Sequence, residues 1–440
     1  MVVVRTFSTS QWLTLVFASV FLFSLGILVQ NVFAERVTVT IAVGNSPGAV
    51  ATNPVNDKIY VANDGSISVI DGNTNTVTDT IQVNYHPSDI KVNTVTNMIY
   101  VANFESGSVS VIDGNTNTVL STISGFGGPF GLGITPKTNL IYVTNFVSNS
   151  VSVINGSTNT IVATLSTSGR IPNQVAVNPS TNFVYVSTTF EGIHPFGSIF
   201  VINGSTNTGV SNIPVNPSPG HLDANLKTNM IYVANGADGT ISVINGTSNS
   251  VVNNVSIPVD PTGVGVNPNT NLIYVAGYRD NSTYIIDGIN NKITGKISVG
   301  HEPFGLAVNP NTNMIYVTNT GDNTVSVIDG TTIPSAPQNL KATAVSSSQI
   351  NLFWTSPSSN GGSSISGYMI ERSTDNGTTW STLVPNTGST STTFSDTGLD
   401  KKTTYTYRIH AINGAGTSPP SNIVSATTLK NNHLQHHKSI

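Results

Sequence analysis

The chain has 440 residues, only 9% of them charged against the roughly 25% usual for soluble domains, and a net charge of −4. With no Lys/Arg block it has nothing to neutralise a phosphate backbone or an anionic bilayer, so nucleic acid is not an expected partner. With no cysteine it forms no disulfide, thiolate metal site or thiol nucleophile.

In chain order, Arg5 precedes an apolar run from Trp12 to Val29, and Val32-Phe33-Ala34 stands before Glu35. This reads as an export signal. The run exceeds an ordinary signal core and nears the lower limit of a membrane span, so residues 1–34 are expected to be either a cleaved signal peptide or an N-terminal anchor. Membrane contact is expected only through residues 12–33, if uncleaved. Either way the remainder lies outside the cytoplasm, secreted or at the cell surface.

A tetrapeptide then recurs seven times, starting at Tyr60, Tyr100, Tyr142, Tyr185, Tyr232, Tyr274 and Tyr316. A second pattern, V/I-I-D/N-G, ends at Gly72, Gly114, Gly156, Gly204, Gly246, Gly288 and Gly330, spaced by 42 residues except for 48 between Gly156 and Gly204. Each unit holds four short Val/Ile/Tyr-rich strands, such as 263–266, 272–276, 283–286 and 292–299, and such a period indicates propeller blades. Asn-Pro-x-Thr-Asn joins the first and second strands and Asp-Gly-Asn-Thr-Asn-Thr the third and fourth; both are turn signals. The seventh unit stops after Gly330 without a fourth strand, while an orphan strand opens the mature chain. Residues 37–43 are therefore expected to close the ring within the last blade, removing exposed edges.

The YVTN motifs at Tyr142–Asn145 and Tyr316–Asn319 resemble the YVTN-type β-propeller repeats of surface-layer and other exported envelope proteins. The resemblance covers about residues 36–331 and implies a seven-bladed propeller within 35–332. Coarsely similar propellers include lactonase-like and lyase-like enzymes, so the fold leaves an enzyme open.

After Thr332 the pattern changes to Ile333-Pro-Ser-Ala-Pro337, which reads as a stiff, exposed junction. Residues 333–430 resemble a fibronectin type III domain, with Pro337, a strand 350–354 ending in Trp354, then 367–372, and Leu399 and Tyr405 at tyrosine-corner spacing. Trp354 and Tyr405 read as core packing and a local hydrogen bond. The domain is read as a spacer, with a second adhesive module as the alternative. The tail 431–440 reads as disordered, with a metal site at His433, His436 and His437 as the sharper alternative.

In propellers the fourth-to-first connections and second-to-third loops share one face. Here that face varies from unit to unit. It is expected to carry a ligand site built from Tyr85, His86, Arg170, Glu191, His194, His221, Asp223, Asp260, Arg279, His301, Glu302 and Phe304, with Phe126, Phe130, Phe196 and Tyr278 nearby. Its aromatics suit stacking on sugars or apolar side chains. The expected partner is an extracellular protein, a glycan or an envelope component, and the role adhesion or envelope structure. The competing reading is a hydrolase or lyase using the histidines of the same face. No catalytic residue, prosthetic group or metal is assigned, since no Gly-x-Ser-x-Gly, Walker loop or His-Glu-x-x-His occurs. Six Asn-x-Ser/Thr triplets, at Asn155, Asn203, Asn245, Asn254, Asn281 and Asn376, are candidate glycosylation acceptors.

Overall fold

Short strands rich in β-branched residues, separated by turns that need left-handed backbone, set the architecture. Each first-to-second turn places one residue at φ of 52° to 58°: Asp57, Asn97, Asn139, Asn182, Asn229, Asn271 and Asn313. Six third-to-fourth turns place Asn75, Asn117, Asn159, Asn207, Asn249 and Asn291 at φ of 48° to 56°. Asn and Asp tolerate this conformation because their short polar side chains bond locally, so the repeat conserves Asn for backbone reasons.

The computed structural model describes residues 36–190 and 197–430. They are all-β, and residues 36–329 form seven four-stranded antiparallel sheets, here blades 1 to 7. Blades 1 to 6 occupy residues 50–82, 87–124, 129–166, 171–215, 219–256 and 261–298. Blade 7 takes three strands from 303–329, and its outer strand is Arg36–Ala42, which pairs antiparallel with Thr324–Asp329. Val37, Val39 and Ile41 alternate inward, and Ile41 is buried. The inner strands of successive blades touch in order, and blade 7 meets blade 1, so these seven strands surround a central channel.

Blade stacking supplies the core. One apolar cluster joins Tyr60, Ala62 and Ile67 of blade 1 to Ile90, Ile99 and Val101 of blade 2, and others bridge later pairs. All seven motif tyrosines are buried. Their hydroxyls reach into the next blade: Tyr60 donates to Asn117 Oδ1 at 3.3 Å, Tyr142 to Asn207 Oδ1 at 2.6 Å and Tyr185 to Asn249 Oδ1 at 3.2 Å. A second belt links the inner strands' terminal residues to the following turn: Asn53 Nδ2 donates to Asn97 Oδ1 at 2.6 Å and Asn93 to Asn139 at 2.8 Å. Asn225 donates likewise to Asn271 at 2.6 Å, and Asn267 to Asn313 at 3.0 Å. Asn309 donates to Asp57 at 2.6 Å across the closing seam. Blade 3 has Thr135 at this position, whose hydroxyl pairs locally with Thr138 instead. The recurrent asparagines thus join blade to blade as well as shaping turns, each bond contributing about 0.5–1.5 kcal/mol net. Where neighbouring inner strands approach most closely only glycine fits: a Cβ on Gly305 would meet Gly48 O at 2.3 Å.

The C-terminal domain packs a sheet of Gln338–Ala344, Gln349–Thr355 and Thr393–Thr397 on one built around Gly367–Ser373 and Thr404–Asn413. Trp354 is buried edge-on against Tyr368, and Tyr405 Oη accepts the Asp400 N–H at 3.1 Å, closing a tyrosine corner. The expected exposed junction is corrected: none of residues 331–337 is exposed. The 357–364 loop rests on the first-to-second turns of blades 6 and 7. Ser359 Oγ donates to Asn269 O at 3.3 Å, Asn313 Nδ2 donates to Gly362 O, and Thr332 N donates to Gly361 O at 2.8 Å. Among the described residues no helix is long and apolar enough to cross a membrane; the N-terminal and tail expectations fall outside them.

Candidate ligand cleft at the channel mouth

In an antiparallel four-stranded blade, the start of strand one, the second-to-third loop and the end of strand four lie at the same edge. The fibronectin domain occupies the opposite, turn-bearing edge, so the variable face is uncovered. There a cleft of about 540 Å³ opens beside the channel mouth. Blade connections supply Ser46, Gly48, Tyr85 and His86; inner strands supply Ser88, Phe130 and Phe304; second-to-third loops supply Asp64 and Glu105. Tyr85 is 76% exposed, and Phe130 belongs to an aromatic cluster with Phe104 and Phe146, its ring 6.0 Å from the first and 5.5 Å from the second. Phe104 also meets the His86 ring at 5.9 Å. His86 Nδ1 lies 3.5 Å from Glu105 Oε1, both groups more than half exposed, so the pair holds orientation without adding much stability. The lining carries two carboxylates and no Lys or Arg, next to aromatic faces.

Local backbone explains how these side chains are presented. The residue before the inner-strand proline takes φ near +50° in several blades: Ser46, His86, Ser218 and Glu302, with Gly128 in blade 3. Glycine is the unstrained choice there, and His86 and Glu302 hold the position at some cost in backbone energy.

Below the mouth the channel carries a charged group spanning opposite blades. Asp89, 1% exposed, accepts Leu132 N of blade 3 at 2.8 Å, Ile90 N at 2.8 Å and Lys91 Nζ at 3.1 Å. On blade 5, Asp223 accepts Val266 N of blade 6 at 2.9 Å and Ala224 N at 2.8 Å. Burial raises the Asp223 carboxyl, opposed by those two N–H groups and by Lys91. Burial pulls the His221 imidazole down to about 4, with Asp89 raising and Lys91 lowering it, so the ring is neutral at neutral pH. His221 packs edge-on to Phe304 at 5.4 Å, linking this group to the cleft.

Of the residues expected at the site, Tyr85, His86 and Phe304 line the cleft, and His221 with Asp223 lies in the channel. The rest are dispersed. Arg170 stacks on Phe190 at 4.6 Å; Arg279 Nε pairs with Asp260 Oδ2 at 2.7 Å; His301 Nδ1 faces Asp322 Oδ1 at 2.9 Å; Glu302 N donates to Asn281 Oδ1 at 3.2 Å. Phe126, expected among the face's aromatics, is instead buried in the core shared by blades 2 and 3. Glu191, His194 and Phe196 lie outside the described residues. Among the described residues no three His, Asp or Glu converge as a metal site.

Asp64, Glu105, Asp89 and Lys91 were missed. The last two were findable: the inner-strand positions of Asp89 and His221 hold Gly131, Gln174, Gly263, Gly305 or Ala49 in other units, and those of Lys91 and Asp223 hold only Gly or Ala. A charge in an inner-strand row whose other members are uncharged, and at the Lys91 and Asp223 position otherwise only Gly or Ala, is a signal that sorting by loops overlooks.

Residues 335–427 match the fibronectin type III domain model. Similar sequences include the titin homolog of Caenorhabditis elegans, 35% identical over 22% of this chain and a share of that protein that rounds to 0%. Exoglucanase B of Cellulomonas fimi is 35% identical over 22% of this chain and 8% of its own length. Chitinase A1 of Niallia circulans is 39% identical over 22% and 13%. The chain thus spans a small fraction of these relatives, and the likeness concerns the C-terminal domain. Among solved structures, hydrazine synthase of Kuenenia stuttgartiensis is similar over 64% of this chain and 95% of that one, with a TM-score of 0.59 and 18% identity. The Cps50 (Swd1) β-propeller domain of Myceliophteria thermophila is similar over 67% and 99%, with a TM-score of 0.59 and 12% identity. Together with the seven sheets, these likenesses establish a modular protein: a β-propeller followed by a fibronectin type III domain.

Proposed function

We propose that this is an exported, non-enzymatic binding protein of the cell surface or envelope that takes its ligand in the channel-mouth cleft. The observation that carries the reading is the convergence of Tyr85, Phe130 and Phe304 with Asp64 and Glu105 on the one face that varies between blades. Aromatic faces beside carboxylates suit a sugar ring, whose C–H face stacks while its hydroxyls donate to the acids, or a side chain with an apolar stem on a partner protein. The fibronectin domain serves as a spacer: clamped to the turns of blades 6 and 7, it leaves the mouth open.

The His301–Asp322 pair supports the competing hydrolase or lyase reading, because a carboxylate on Nδ1 orients a general base. The test of both is binding of a glycan panel and of whole envelope material to the full exported chain, with and without EDTA, alongside turnover of whatever binds. Tyr85→Ala and Phe304→Ala are expected to weaken binding about tenfold each, corresponding to ~1.4 kcal/mol, with His301→Ala unaffected. Wild-type affinity in both aromatic variants overturns the cleft, and turnover lost in His301→Ala establishes the enzyme instead.

A further inference from the structure

The third strand of blades 1 to 7 ends on Asp71, Asp113, Asn155, Asn203, Asn245, Asp287 and Asp329. In every blade one side-chain oxygen accepts the N–H two residues on, at 2.7–2.9 Å, for example Asn115 N to Asp113 and Ser157 N to Asn155. One oxygen suffices, so the turn itself does not choose between Asp and Asn. The third turn residue is equally free. Ser157, Ser205 and Thr247 accept from Asn139, Asn182 and Asn229 at 3.2, 2.9 and 2.9 Å, but in blade 2 the Asn115 amide oxygen serves Asn97 at 2.9 Å just as well. Two positions that the fold leaves open therefore combine Asn with Ser or Thr in three consecutive blades, whereas blade 7 sets Thr331 after Asp329 and blade 6 sets Ile289 after Asp287. Only there do they complete Asn-Gly-Ser/Thr.

We propose that Asn155, Asn203 and Asn245 carry N-linked oligosaccharides, forming one glycan-coated sector of the turn face. Each Nδ2 takes no part in the turn bond, and the adjoining Ser157, Ser205 and Thr247 are exposed. The sector does not overlap the fibronectin domain's footprint, which falls on Asn269 and Asn313 of blades 6 and 7. The donor is a lipid-phosphate-linked oligosaccharide. Nδ2 attacks its anomeric C1, the Nδ2–C1 bond forms, the C1–O bond to phosphate breaks with its electron pair on the phosphate, and one amide proton is lost. The other three triplets differ: Asn281 sits at φ +55° with Oδ1 bound to Glu302 N on the mouth face, Asn376 sits at φ +63°, and Asn254 lies within an outer strand with Oδ1 bound to Ser242.

The proposal rests on export. Its test is intact-mass and glycopeptide analysis of the full chain from its own cells, with Asn155→Asp, Asn203→Asp and Asn245→Asp singly and together. Each substitution installs the residue four sister blades already use, so folding is preserved while the acceptor is lost. Ser157→Asn, copying blade 2, removes the signal while keeping Asn155. Each variant is expected to lose one oligosaccharide mass, and the triple variant all three. Protease treatment of intact cells reports export separately. Protein that is reachable from outside yet bare, or glycosylated only at Asn254, Asn281 or Asn376, overturns this proposal alone. Enclosed and bare protein overturns export with it.

Discussion

Replacing Asp89 by Ala tests whether the channel group holds the ring together. The carboxylate joins blade 2 to blade 3 through Leu132 N at 2.8 Å and neutralises Lys91 at 3.1 Å while almost wholly buried. Alanine leaves the Leu132 N–H without its acceptor in the interior, costing about 1–3 kcal/mol. Losing the partner of Lys91, whose side chain is 36% exposed, adds no more than about 1 kcal/mol after solvent screening. The total is about 1–4 kcal/mol. Asp89→Asn keeps an acceptor for Leu132 but sets an amide against Lys91, and should cost about 1–2 kcal/mol. Asp79→Ala, on the exposed outer strand of blade 1, removes only a solvent-exposed bond from Asn117 Nδ2 at 3.0 Å and should stay near the lower limit for a hydrogen bond, about 0.5 kcal/mol. Urea unfolding followed by the midpoint at constant slope reads all three. An Asp89→Ala midpoint equal to that of Asp79→Ala would refute the inter-blade role.

The tyrosine belt predicts an asymmetry: Tyr142→Phe should cost about 1 kcal/mol through loss of the Asn207 bond, whereas Tyr100→Phe, whose buried hydroxyl has no hydrogen-bond partner among the described residues, should be neutral or stabilising by urea unfolding. His221 predicts a pH slope. Its pKa is about 4 when folded against 6.5 in the unfolded chain, so the unfolded state binds the proton first as pH falls, and stability should drop between pH 6.5 and 4 by on the order of 3 kcal/mol. In His221→Gln that component of the slope should be absent, the raised Asp223 pKa acting with opposite sign and in both proteins; parallel pH–stability curves would contradict the burial of His221.

The fold was legible because its signals repeat. Tyr-Val-x-Asn and the Asn-rich turns recur in each unit for backbone and packing reasons, and the order of strands follows from them. The incomplete last unit and the unmatched strand at 36–42 ask for each other, since either alone would expose an unpaired edge. The fibronectin domain was legible from Trp354 and Tyr405, whose spacing reflects a shared core. The site was less so. Tyr85, His86 and Phe304 were visible as departures within loops, but Phe126 looks the same in sequence and turns into the core, because side-chain direction at a connection depends on the neighbouring blade. The docking of the 357–364 loop was invisible: Gly361 and Gly362 read as ordinary turn glycines. In space, a Cβ on Gly362 would strike the Asn313 side chain at 2.5 Å.

Repetition also divides the residues by task. Residues that recur around the ring, such as most of the tyrosines and turn asparagines, form bonds to the next blade, so each carries a small part of a large total. Residues present once, such as Tyr85, Asp64 and the Asp89–Lys91 pair, break that symmetry and concentrate on one face or in the channel. Aromatic surface is exposed at the mouth, where it costs solubility and adds nothing to the core, while the exposed apolar residues of the turn face, such as Val55, Val95 and Ile289, are aliphatic and scattered among polar turn residues. In a chain with so few charges, long-range steering is weak, and specificity has to arise from close contact with these singular residues. A ligand that recognised the repeated surface instead would meet equivalent turns on every blade, except where the fibronectin domain covers blades 6 and 7 and where Asn155, Asn203 and Asn245 replace aspartate. Both exceptions fall on the turn face, which leaves the opposite mouth as the place where this propeller is individual.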